Sequence, residues 1–269
     1  IIVPLTFDKS NNNYSFFRDP IEFFCSKKIG EKDYSELKKK IDELKFEKLF
    51  KIEIKNEIPF INNKFNFIDR VIKEIYIDLS LSLENIKSNF SSNLRNEIKK
   101  EYSNTTFEII DYKNYKKDMI YEMMELHKLV AGRQTRSKDT WQQNEKMILK
   151  NRGFLTRVTV DQKVISYSFF YHNEYTCMYL SSVGLREYYK IVRNVHHKSL
   201  ALAINQAKIN CKYFFVGHVT LFDKIPISDK EKNIEKFKAK FKGINKNFVI
   251  INKLPEYELY SKLIEGNHD

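Results

Sequence analysis

Two arginines three residues apart, Arg133 and Arg136, follow Gly132 and precede the only tryptophan of the chain, Trp141, in AGRQTRSKDTW. A guanidinium group is planar and grips phosphate or carboxylate through two parallel hydrogen bonds, which an ammonium cannot do. In a chain whose cations are mostly lysine, two arginines in one short loop point to recognition of an anion. The plain alternative is a pair of surface salt bridges. Trp141 can stack on a base or a sugar ring, or anchor the next helix in the core.

His197 is the second residue suited to chemistry. An imidazole can take a proton from an attacking amine near neutral pH. It stands at the start of a predicted helix, where the macrodipole disfavours the charged ring and keeps a base neutral. Its neighbour His196 points about 100° away around the helix, so one of the two can face a cleft. The alternative is a helix-start residue bonded to nearby backbone. Tyr179, Ser181 and Ser182 share a predicted strand, where a hydroxyl can orient a substrate, protonate a departing thiolate or simply be satisfied in the core. Gly217 and His218 end another strand and are candidates for substrate contact by analogy with strand ends in related folds. In FKAKFKG, 237–243, lysines alternate with Phe237, Ala239 and Phe241. Lys238 and its neighbours suit a phosphate-binding rim on an apolar base, or a solvated edge. Arg95 and Lys99 share one helix face at four-residue spacing and either line a groove or face solvent. Cys25, Cys177 and Cys211 are isolated, and no CxxC or HExxH appears, so neither a zinc site nor a disulfide framework is expected.

These residues need elements to hold them. Hydrophobic periodicity predicts helices at 31–45, 83–102 (in two pieces), 116–132, 138–151 and 194–210, with Gly132 as a C-terminal stop and Pro20 opening a further helix over 20–29. Alternation predicts strands at 49–56, 74–80, 106–112, 153–160, 163–172, 175–184, 212–219 and 247–254. The second half therefore reads β-α-α-β-β-β-α-β and then α-β. The first half reads β-α-α-β-β-α more loosely. No Pro/Gly/Ser linker appears, so two lobes sharing a packed boundary near 103–105 are expected: 1–104 and 105–269.

Composition bounds the function. The 269 residues include 42% hydrophobic and 14% aromatic residues, enough for a sizeable core. No run approaches the roughly 20 apolar residues of a membrane span, and IIVPLTFDKS does not read as a secretory signal. With isolated cysteines, a reducing cytoplasmic setting is expected. A net charge of +12 fits either a polyanionic partner or a lysine-rich solvated surface; the stretch 221–250 concentrates eight lysines against four acids.

Four stretches resemble one family. YIDLSLSLENIKSNFSSNLRNEIKK resembles the segment joining the lobes of FemAB-like, tandem-GNAT acyltransferases, with Arg95 and Lys99 as its R-x3-K pair. AGRQTRSKDTW looks like the AGR-x-TR-x3-TW stretch of a bacterial branch found with surface-sugar biosynthesis enzymes. HKSLALAINQAK is similar to the helix of that branch that opens with a histidine, here His197. FKAKFKG resembles an FK-x2-FG signature, with Lys242 where the glycine is expected and Gly243 one place later. The loop LREYYKIVRNVHH lacks the glycines with which simple GNAT enzymes hold coenzyme A pyrophosphate. The resemblance implies an α+β fold: a GNAT-like mixed sheet flanked by helices, in two tandem lobes with the N-terminal one less complete. It implies N-acyl transfer without metal, from acyl-CoA, an acyl carrier protein or aminoacyl-tRNA to the amine of a nucleotide-linked or surface-glycan amino sugar. His197 would be the base and Tyr179 a second catalytic group. Arg133, Arg136, Trp141, Arg95, Lys99, Lys238, Gly217 and His218 would contact substrate. Two rival expectations are an aminoacyl-tRNA-dependent transferase building peptidoglycan cross-bridges, and a non-catalytic nucleic-acid-binding module.

Overall fold

A computed structural model describes residues 6–8, 13–15, 21–22, 29–43, 50–54 and 68–265. Strands β1 (Thr6–Asp8) and β2 (Asn13–Ser15) pair antiparallel. The helix expected from Pro20 is replaced at its start by strand β3 (Ile21–Glu22), which runs parallel to β4 (Phe50–Ile54); residues 23–28 lie outside the described set. Helix α1 (Glu31–Asp42) and strand β5 (Ile68–Asp78) follow. Two short helices, α2 (Leu83–Asn89) and α3 (Ser92–Lys99), are the two pieces expected over 83–102, each capped by a serine hydroxyl that accepts a backbone N–H.

The second half has the expected order. It runs β6 (Thr105–Ile110), α4 (Met119–Ala131), α5 (Lys138–Leu149), β7 (Gly153–Val160), β8 (Lys163–His172), β9 (Thr176–Gly184), α6 (Val195–Ala207), β10 (Tyr213–Asp223), α7 (Asp229–Ala239) and β11 (Ile244–Ile251). Helix α8 (Tyr257–Glu265) closes the described chain.

Two compact units emerge, and both are discontinuous in sequence. The smaller comprises residues 1–74, 218–235 and 245–269; the larger comprises 75–217 and 236–244. The cut expected near 103–105 falls inside the larger unit. In the smaller unit Tyr34 from α1 stacks on Tyr260 from α8, its hydroxyl donating to the Pro255 carbonyl at 2.7 Å. Around them lie Ile41, Phe50, Ile52, Val71, Val249 and Leu263.

In the larger unit β6, β7, β8 and β9 form an antiparallel meander, and β10 joins β9 in parallel. One face carries α4 and α5, packed through Met119, Ile120, Met123, Trp141 and Ile148 onto Leu155, Tyr167, Phe169 and Val183. The other face carries α6, whose Val195 joins Val158, Val160 and Ile165. Gly132 ends α4 at φ +68°, the left-handed stop its sequence position predicts.

Candidate functional site

Two features of β9 set the geometry. First, its ladder with β10 covers only Thr176↔Tyr213, Cys177↔Phe214 and Met178↔Phe215, while both strands run on beyond. The two strands fork there. Second, Tyr179 pairs with Phe170 and Ser181 pairs with Phe169, so Leu180 is an extra residue, a β-bulge. Residues 179 and 181 of a regular strand share a face. The bulge separates them. Tyr179 lies on the Phe170 face, with rings 5.6 Å apart, and Ser181 lies on the face of Phe169 and Trp141.

On the α6 face, the Tyr179 hydroxyl donates to Ser182, and burial pushes its pKa up to about 12. Gly217, the second residue of β10 past the ladder, takes φ +128°. The end of the Lys238 side chain lies over it: a Cβ at Gly217 would sit 2.6 Å from Lys238 Cε and Nζ. Phe237, next to Lys238, stands 6.5 Å from the Tyr179 ring and stacks on His197 at 4.4 Å. Tyr179, Gly217 and Lys238 therefore meet at the fork. His197 reaches it through Phe237.

His197 itself is 2% exposed. A carboxylate oxygen of Glu97 on α3 lies 2.6 Å from its Nδ1, but off the ring's N–H direction, so this is close contact rather than an aligned hydrogen bond. Lys240 reaches the other Glu97 oxygen at 3.4 Å. Burial first, then the Lys240 and His196 charges, pull the His197 pKa down to about 3. His196, half-buried, has its Nε2 3.2 Å from the Tyr189 hydroxyl.

On the α4–α5 face, Trp141 is 1% exposed and belongs to the core. The Arg136 guanidinium lies 5.4 Å above its indole, and burial lowers the Arg136 pKa. His127, a residue that sequence patterning did not single out, lies 5.2 Å from the same indole and hydrogen-bonds Ser181 through Nε2 at 3.1 Å. Burial, then the Arg136 charge, lowers the His127 pKa to about 4. Arg133 is exposed on the loop between α4 and α5.

The remaining candidates lie apart. Arg95 donates from one nitrogen to the carbonyls of Ser88, at 3.0 Å, and Phe90, so it closes the end of α2. Lys99 is exposed in the last turn of α3. The residue of α3 that meets His197 is Glu97, between them. His218 follows Gly217 and is the first residue of the second segment of the smaller unit. Among the described residues no group of three or more His, Cys, Asp or Glu side chains is placed to hold a metal ion. No described helix is long and apolar enough to cross a membrane.

No family model matches the chain, and no curated protein matches it. Solved structures do. FemX aligns over 85% of this chain and 79% of its own, at 11% identity and a TM-score of 0.51. L-PGS from Bacillus licheniformis aligns over 86% of this chain and 75% of its own, at 13% identity and a TM-score of 0.52. A tandem GNAT protein from the clavulanic acid biosynthesis pathway aligns over 82% and 69%, at 8% identity and a TM-score of 0.43, a likeness too low to argue from. At such identities the likeness is one of fold. The chain has the α+β fold of FemX, a GNAT-like mixed sheet flanked by helices.

Proposed function

We propose that this protein is an N-acyltransferase that moves an acyl group from a thioester of coenzyme A to the amine of a nucleotide-linked or surface-glycan amino sugar. The observation that carries this reading is the fork between β9 and β10 with the Leu180 bulge at its apex. Strand edges that stop pairing offer backbone N–H and C=O groups to an extended, amide-bearing donor arm. The same N–H groups can stabilise the oxyanion as the amine adds to the thioester carbonyl. Tyr179 stands at the apex with its phenol protonated, where it can pass that proton to the departing thiolate, although burial leaves it a weaker acid than a free tyrosine. Lys238 supplies a cation over Gly217, in keeping with the FK-x2-F resemblance.

In this reading the acceptor approaches from the α4–α5 face. Arg133 and Arg136 hold its anionic part, a diphosphate. Trp141 does not stack on substrate; it supports Arg136 from below. His197 is too deeply buried to meet an amine and serves as a positioning residue for Phe237 and, through it, Lys238.

The test is a thermal-shift and calorimetric screen with acetyl-CoA, nucleotide-linked amino sugars and a short tRNA mimic, followed by transfer assays read by mass spectrometry. A ligand that binds only the native state raises the Tm. Acetyl-CoA and an amino sugar should both do so. Arg136→Ala should weaken acceptor binding about 10- to 100-fold, as expected for a lost charge-assisted hydrogen bond of about 1.5–3 kcal/mol, and leave acetyl-CoA binding unchanged. A shift with the tRNA mimic alone would replace this reading by the aminoacyl-tRNA-dependent one.

A further inference from the structure

The reading above leaves the reaction without a proton acceptor on the side from which the amine arrives. His197 lies on the opposite face and is sealed beneath Phe237. On the α4–α5 face one imidazole stands at the apex: His127, half-buried, hydrogen-bonded at 3.1 Å to Ser181, the residue immediately after the bulge. We propose that His127, acting through Ser181 or directly, takes the proton from the acceptor amine. The proposal rests on the acyltransferase reading.

The amine nitrogen adds to the thioester carbonyl carbon and the C–N bond forms. Its proton passes to Ser181 Oγ as the Ser181 proton passes to His127 Nε2, or goes to Nε2 directly. The C–S bond then breaks, sulfur leaving with the electron pair as thiolate. The imidazolium afterwards releases its proton to water.

The neighbours of His127 give the step a condition. Arg136 is the charged group that acts on it; burial is the larger influence, and both favour the neutral ring. Other ionisable side chains on this face include Glu122 and Tyr167, hydrogen-bonded to each other at 2.5 Å, Arg157 paired with Glu108 at 2.8 Å, Tyr115 donating to Glu145 at 3.1 Å, and the exposed Lys128, Arg133 and Lys138. A diphosphate bound by Arg136 cancels part of its positive field. His127 then becomes a stronger base only when the anionic acceptor is in place.

The experiment uses the full chain, UDP-glucosamine as acceptor probe and acetyl-CoA as donor, with two readouts. In nitrogen-edited NMR of the imidazoles, UDP-glucosamine should move the His127 titration upward by at least one pH unit. Arg136→Ala should raise it without ligand and abolish the response. In transfer assays His127→Gln, which can still hydrogen-bond Ser181, should lower kcat about 10²- to 10⁴-fold with KM changed less than threefold, and should remove the acidic limb of the pH profile. A His127 titration indifferent to UDP-glucosamine, or a His127→Gln variant with wild-type kcat and pH profile, overturns the proposal. If acetyl-CoA neither binds nor reacts, the acyltransferase reading falls instead. The NMR result, which needs no donor, keeps the two failures apart.

Discussion

At Gly217 two costs of a side chain can be separated. A Cβ there would meet the end of Lys238, a flexible chain that can move aside, whereas φ +128° is a region that residues with a Cβ rarely adopt. Gly217→Ala should therefore destabilise the protein by about 1–3 kcal/mol in urea unfolding, nearly all of it from the backbone. Adding Lys238→Ala should recover almost none of that loss; full recovery would show that the steric contact dominates. Tyr179, Gly217 and Lys238 were legible because aromatic-hydroxyl, glycine and lysine types stand out at strand ends and in FKAKFKG. His127 was not: a single histidine on an amphipathic helix looks like any half-buried position, and its partner Ser181 is 54 residues away. Glu97 carries no such mark either: a single acid on a charged helix reads as a solvated residue, and its contact with His197 is set by tertiary packing.

Among the elements, the bulge on β9 offers the cleanest separation of fold from function. Leu180 is 49% exposed and opposes no residue of β8. Deleting it leaves Tyr179 opposite Phe170 and Ser181 opposite Phe169, so every cross-strand pair and every buried face is kept. What goes is the local twist that opens the fork. The deletion variant should fold with a Tm within a few degrees of wild type and lose at least tenfold in acetyl-CoA affinity. Wild-type affinity would remove the fork from the donor site. Periodicity located the meander strands to within a residue or two because β7 and β8 at its centre are buried over most of their length and short turns bound them. It placed the start of β5 six residues late, since Asp69, Arg70 and Lys73 interrupt the buried Ile68, Val71 and Ile72. It gave α7 a place in the element order but no bounds within the lysine-rich stretch, because that helix buries no residue of its own. A bulge leaves no mark in hydrophobic patterning, so the feature on which the proposed chemistry turns could not be read in advance.

For the whole molecule, the order of elements was legible and the unit boundaries were not, because β5, β10, α7 and β11 each pass from one unit to the other within a continuous element. Sequence shows no linker at such a crossing. The larger unit also carries a property that none of its residues shows alone. Its four histidines at 127, 172, 196 and 197 all have pKa values lowered from the ordinary 6.5, with burial the first cause in each: His127 and His196 to about 4, His197 to about 3, and His172 in the same direction. The unfolded chain binds protons at these positions once the pH falls below about 6.5, while the folded chain does not. Stability from these groups is thus fully present above pH 6.5, declines as the pH falls and stops declining near pH 3 to 4. The urea midpoint should drop steadily between pH 6.5 and 4. His197→Phe, which keeps an aromatic ring against Phe237, should flatten that slope. Exposed carboxylates with lowered pKa values, such as Glu36 and Glu258, also favour the folded state and lose that contribution under acid, but salt screens them. The slope should therefore persist in about 0.5 M salt, where surface pairs are muted; a slope that vanishes there would assign the acid sensitivity to the surface and not to the buried imidazoles.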